Sequence, residues 1–172
     1  MRKNLILITI LFLMIPVLSA YQEQEPVDPV NWRELQEYLV DFSGYEREGE
    51  PDGETVSMGN MKWTHVEQNY RSGDKSLKLE IIDSAYVGMA LQSFQMAAAM
   101  EIDTSDEYVK STEINGFPGV KRYTYEDKQG EVMVLVGERF LIRLEGEPFE
   151  DADPLVDLIK EVDIEGLAAL TE

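Results

Sequence analysis

Apolar residues first fall into a helical rhythm in NWRELQEYLVDFSG, residues 31–44, where Trp32, Leu35, Leu39 and Phe42 recur along one side. Asn31 is placed to cap the start, and Glu34 stands where a capping box needs its acid. Val30 and Leu35 are spaced for a hydrophobic staple, and Gly44 can close the end. The rhythm predicts one helix with one buried face. YEREGEPDGETVSMGN, residues 45–60, reads as a strand or two broken by the turn-like PDGE. From Met61 to Arg71 strand formers dominate. RSGD then turns the chain into KSLKLEII, where Leu77, Leu79 and Ile81 alternate with Lys78 and Glu80, the mark of a hairpin with one apolar face.

The period changes again in DSAYVGMALQSFQMAAAMEI, which predicts a helix capped by Asp83 or Ser84 and running to about Met100. Tyr86, Met89, Ser93, Met96 and Met100 form one stripe, with Ala90, Phe94 and Ala97 beside it, a small-residue face suited to packing on a sheet. EYVKSTEI and VKRYTYED follow as strands around the turn NGFPG. DKQG turns into EVMVLV, whose unbroken apolar run predicts a strand covered on both faces, and GER turns once more into FLIRLEGE. DADPLVDLIKEV closes as a helix, with Asp153 as its cap, Pro154 at its first position, and Leu155, Leu158, Ile159 and Val162 on one side. Strands joined by short turns are antiparallel neighbours, and amphipathic helices need a sheet to cover. The expectation is an α+β fold: an antiparallel sheet of six or seven strands covered by three helices.

The chain ahead of this domain has a different character. MRKNLILITILFLMIPVLSA carries a basic head, a short apolar run and small residues at its end, the build of a secretory signal peptide over residues 1–20. The run is short for a bilayer span, which needs about 20 apolar residues; an uncleaved anchor is the rival reading. Residues 21–30 read as an acidic linker, and 31–172 as a single α+β domain, so a periplasmic or secreted location is expected, with no stable membrane insertion after cleavage.

Charge narrows the partners. Cleavage after Ala20 leaves 13 Lys and Arg against 34 Asp and Glu, a net charge of −21. Such a surface repels phosphate backbones and anionic headgroups, so nucleic acid is not expected as a partner. Solubility or a saline habitat accounts for the acidity as well. The chain has no cysteine, and at this length it needs no disulfide to hold a core.

The central helix with its small residues, the G-x-P-G turn at Gly116, Phe117, Pro118 and Gly119, and the meander YTYEDKQGEVMVLVGERFLIRLEG running into a last helix resemble the PsbP/DcrB-like group of exported proteins. The resemblance spans roughly residues 73–162 and rests on turns and strand rhythm. It implies an α/β/α sandwich around an antiparallel sheet and an accessory, binding or assembly role. It carries no set of functional residues over to this chain.

Candidate chemistry is sparse. His65, the only histidine, shares its strand face with Met61, Trp63 and Glu67. No G-x-S-x-G elbow accompanies it, and an ordinary sheet-surface histidine is the plainer reading. With one histidine and no cysteine, no zinc site of the usual Cys/His composition can be assembled, and neither metal nor cofactor is expected. Met89, Met96 and Met100 suggest a copper(I) thioether site only if their sulfurs reach solvent; as core fillers they need no metal. EGEPFEDAD, residues 145–153, concentrates five carboxylates but lacks the spacing and glycine of a calcium loop. Phosphate-loop motifs are absent.

The sequence therefore points to an exported non-catalytic binding or accessory module, with an unknown protein or small molecule of the cell envelope as partner. Trp63, His65 and Tyr70 are the residues expected to contact it. A small extracytoplasmic carboxylate-dependent hydrolase and a purely structural envelope protein are the competing readings.

Overall fold

The computed structural model describes residues 28–59, 61–83 and 88–171. The expected signal peptide and most of the linker lie outside them. A short helix, α1 (Trp32–Leu35), comes first, followed by three strands: β1 (Glu46–Met58), β2 (Met61–Ser72) and β3 (Lys75–Asp83). After helix α2 (Gly88–Ala99) follow β4 (Ile102–Asp103), β5 (Glu107–Ile114), β6 (Phe117–Thr124), β7 (Gln129–Val136) and β8 (Phe140–Glu147). All eight join one antiparallel sheet in the order β1-β2-β3-β8-β7-β6-β5-β4. The last strand thus runs between the N-terminal hairpin and the C-terminal meander, fusing them into one surface. The expected α+β class with an antiparallel sheet holds, with eight strands where six or seven were expected.

Helices lie on both faces. Helix α1, continued by a 3-10 turn (Gln36–Tyr38), packs beside β1 and β2; α3 (Asp153–Ile159) packs against β7 and β8, and α4 (Ile164–Ala169) against β7, on the same, inner face. Helix α2 lies on the outer face over β5, β6 and β7. Alternation along the strands separates the two sides. Val66, Leu79, Ile81, Val132, Val134, Ile142 and Leu144 are fully buried inward beneath Leu35, Leu39, Phe42, Leu155 and Ile159. A smaller outer core joins Phe94 to Val109, Val120 and Leu141. EVMVLV is indeed covered on both faces: Val132, Val134 and Val136 are buried inward, while Met133 and Leu135 pack outward against the α2 cluster. Inner-face contact is close where Gly130 and Gly146 stand opposite each other. A Cβ at Gly146 would come within 2.7 Å of both Leu77 and Phe149.

Several local expectations give way to longer-range forces. The N-terminal helix ends after two turns; Leu39 is extended, and neither helix nor strand follows through Phe42. Tertiary burial of Leu39 and Phe42 replaces helical hydrogen bonding there. Asn31 caps as expected, its side chain accepting from the Arg33 amide at 3.0 Å. PDGE does not divide two strands. Pairing slips between Glu48 and Asp52, a bulge around Gly49 in one continuous strand.

Asp83, one of the two expected caps of α2, ends β3, fully buried, where its two oxygens accept from Arg139 at 2.9 and 2.8 Å and from the Val30 amide at 2.7 Å; the residues that join it to α2 lie outside the described ones. Arg139 also reaches the carbonyls of Leu170 and Asp28, so one ion pair ties both ends of the domain to the β7–β8 turn. The other proposed cap, Ser84, lies outside the described residues. Asp153, expected to cap the last helix, lies inside it instead, and Asp151 accepts from its amide at 2.9 Å. Helix α4, which Asp163 caps through the Gly166 amide, makes a fourth helix where three were expected.

On α2 Phe94 is buried with half-buried Ala97 and Ala98 beside it, whereas Met96, and Met100 just past the helix, are exposed, 66% and 47%. The small alanine side chains let the helix backbone approach the sheet and turn those methionines outward. The reading of them as core fillers is corrected; the side chain of Met89 lies outside the described residues. The acids of residues 145–153 are dispersed: Glu145 faces Arg143, Glu150 pairs with Lys128, Asp151 accepts from Tyr108, and Asp153 pairs with Lys121. No helix of the described residues is long and apolar enough to cross a membrane.

Candidate functional site

Helix α2 covers only the β5–β7 side of the outer face. Over β2, β3 and part of β8 most outward positions are polar, Trp63 and Ile82 being exceptions. The hairpin turn at Gly73 and Asp74 sets the register here: Ser72 opposite Lys75, then Asn69 opposite Lys78, Glu67 opposite Glu80, and His65 opposite Ile82. Across the next ladder Glu80 meets Arg143 and Lys78 meets Glu145, and beyond that Glu145 meets Glu131. Four carboxylates and three basic side chains therefore occupy neighbouring outward positions, each half-buried except Glu80, whose side chain is 8% exposed.

At the centre, two carboxylate oxygens share two nitrogens. His65 Nε2 lies 3.3 Å from Glu80 Oε1 and 3.6 Å from Glu67 Oε2. Lys78 Nζ approaches the same two oxygens, at 3.3 and 2.7 Å. The other oxygen of Glu80 takes a hydrogen bond from Arg143, which also lies 3.3 Å from Glu145 and 3.7 Å from Glu131.

The electrostatics follow from this crowding. The hydrogen bond to Glu80 raises the His65 pKa, against the opposing effect of burial. Burial alone would raise Glu80; the His65 hydrogen bond and the charges of Arg143 and Lys78 outweigh it and hold that carboxyl at about 2. Glu131 behaves oppositely: burial raises its pKa, and the nearby Arg143 offsets this only in part. Lys78 is held more firmly protonated, chiefly by its hydrogen bond to Glu67.

The three residues expected to act together do not share a surface. Trp63 and His65 point outward from β2, Trp63 half-buried and opposite Val56. Tyr70 is five positions beyond His65 and points inward. It is fully buried, edge-on to Phe42 at 5.0 Å, and donates its hydroxyl hydrogen to the Val40 carbonyl at 2.7 Å. Burial pushes its pKa up to about 12. Its side chain is a core element tying β2 to the segment after α1, and the outer-face group consists of Trp63 and His65 alone among the three. Glu80, Lys78 and Arg143 were missed. The hairpin register carried the signal for the first two, because a two-residue turn at Gly73–Asp74 sets Glu67 opposite Glu80. Arg143 had no local signal, since it reaches Glu80 only through the β3–β8 pairing.

Beside this cluster lies a groove of about 160 Å³, lined by Glu48, Asn69, Ser76, Lys78, Gln129 and Glu145 among others. It is small beside the 300–1,000 Å³ or so of pockets that enclose drug-sized ligands. The arrangement suits contact across an open surface, or coordination of one small cation, better than enclosure. No family model, no curated protein and no solved structure matches this chain.

Proposed function

We propose that this chain is an exported, non-catalytic binding or accessory module, and that its contact surface is the part of the outer sheet face that α2 leaves open. One observation carries the reading. On the inner face the apolar positions are covered by helices, while on the outer face β2 and β3 present half-buried Trp63, His65, Glu67 and Lys78 to solvent. Half-buried charges on a rigid sheet are already positioned and partly desolvated, which favours selective contact over general solubility. The partner is a protein or small molecule of the periplasm or secreted space. The net charge disfavours nucleic acid, and an accessory role agrees with the resemblance of the C-terminal meander to exported accessory proteins. Site-specific photo-crosslinking in the host tests this. A photoreactive residue in place of Trp63 should yield a discrete adduct, whereas one in place of Asp157, exposed on the opposite side in α3, should not. Adducts from both positions, or from neither, count against the reading.

A carboxylate-dependent hydrolase is the second reading, favoured by Glu80 and Glu131. Their pKa values are displaced in opposite directions although both face Arg143, the separation that acid–base pairs exploit. Turnover of chromogenic ester or glycoside substrates that Glu131→Gln abolishes would move the assignment to an enzyme.

A further inference from the structure

We infer that His65, Glu67 and Glu80 form a binding site for a divalent first-row transition-metal ion, with zinc the best-suited probe. The inference rests on the reading of the outer face as a binding surface and names a ligand for it. The composition is one imidazole and two carboxylates, so the exclusion of a Cys/His zinc site does not touch it. Four features of the geometry support it.

The first is spacing. His65 Nε2 stands 3.3 Å from the Glu80 oxygen and 3.6 Å from the Glu67 oxygen, and all three donor atoms lie within 4.8 Å of one another. Ligands held about 2.0–2.1 Å from a tetrahedral zinc stand about 3.3–3.4 Å apart, so little movement is needed. The second is register. Glu67 and Glu80 are directly opposite on adjacent strands, where like charges repel unless a cation lies between them. The third is charge. With His65 neutral, Glu67 and Glu80 share the single ammonium of Lys78, Arg143 is divided among Glu80, Glu131 and Glu145, and Arg122, opposite Glu131, is drawn to Glu107, so a dication at the centre meets carboxylates that share too few cations.

The fourth concerns the present occupant. The Lys78 ammonium contacts the same two oxygens that the ion would take. Its long stem allows it to withdraw, and Glu145, its cross-strand neighbour on β8, is available to receive it. Lys78 thus acts as a built-in competitor that limits affinity, while Arg143 on the second oxygen of Glu80 orients that ligand from outside. The remaining coordination positions face solvent and would be filled by water.

Isothermal titration of zinc into the chelator-treated mature protein tests this, with circular dichroism confirming that each variant is folded. The expected result is one ion per chain in the wild type. Affinity should fall at least about tenfold in His65→Ala and in Glu67→Gln, and rise about tenfold in Lys78→Met as the competing charge is removed. Absence of saturable binding in the wild type overturns the proposal. So does wild-type affinity in His65→Ala, which would place the zinc on other carboxylates. An unchanged affinity in Lys78→Met overturns the shared position of ammonium and ion. None of these results bears on crosslinking from position 63, so failure of the metal site is distinguished from failure of the partner surface.

Discussion

The two faces of the one sheet are built on opposite principles. The inner face alternates apolar side chains under three short helices, and several of its buried polar groups have dedicated partners: Tyr70 on Val40, Tyr123 on Phe149, Asp83 on Arg139. The outer face is graded. Beneath α2 it is apolar, and two strands away it holds a half-buried network in which each carboxylate shares its cations with another. Burial of apolar surface makes the inner face the main source of stability. Ion pairs such as those outside contribute little net stability, because desolvation offsets the Coulombic gain. The contrast suggests that the outer network is maintained for contact and the inner face for folding.

Substitutions that remove inner-face contacts should have the largest effects. Asp83→Ala strands the buried Arg139 guanidinium and should destabilise the domain by about 3–5 kcal/mol in denaturant melts. Leu144→Ala, at a fully buried inner position, should cost about 2–5 kcal/mol. Either value falling below about 1 kcal/mol would erase the distinction between the faces.

The outer network should announce itself through pH. The Glu80 carboxyl is held at about 2 in the fold against an ordinary 4.5, so its contribution is complete above pH 4.5 and fades as pH falls towards 2. Between pH 6 and pH 3, wild-type protein should lose about 2 kcal/mol more than Glu80→Gln does. Equal losses would mean that the ion pairs are made equally well in the unfolded chain. The smallest effect belongs to Met96→Gln on the exposed side of α2, where a melt should shift by less than about 0.5 kcal/mol. A larger loss would return that methionine to the core.

Much of the fold was legible because period and turn chemistry act locally. KSLKLEII alternates and became β3; EYVKSTEI became β5 with the expected bounds; EVMVLV proved to be covered on both sides. The misjudged features depend on distant partners. Asp83 has the local signature of a cap, and nothing near it announces its buried pairing with Arg139, 56 positions away. Met96 lies on a plausible helical stripe, but alanines at 97 and 98 offered the sheet a closer approach. IEGLAA is too short and too glycine-interrupted to declare a helix before Asp163 is seen capping it. The site was half legible for the same reason. His65 and Glu67 lie two apart on one strand, whereas Arg143 meets Glu80 across 63 positions through the β3–β8 pairing. Tyr70 was grouped with Trp63 and His65 by proximity in the chain, and strand alternation turned it to the other face.

The claim that the open outer face is where this protein meets its partner is tested most directly by native mass spectrometry of the protein isolated gently from its own host. Wild type should carry a defined mass excess, a small molecule or a second polypeptide, and the folded Trp63→Ala variant should have lost it. An equal excess on both, or a bare monomer from both, would contradict the account.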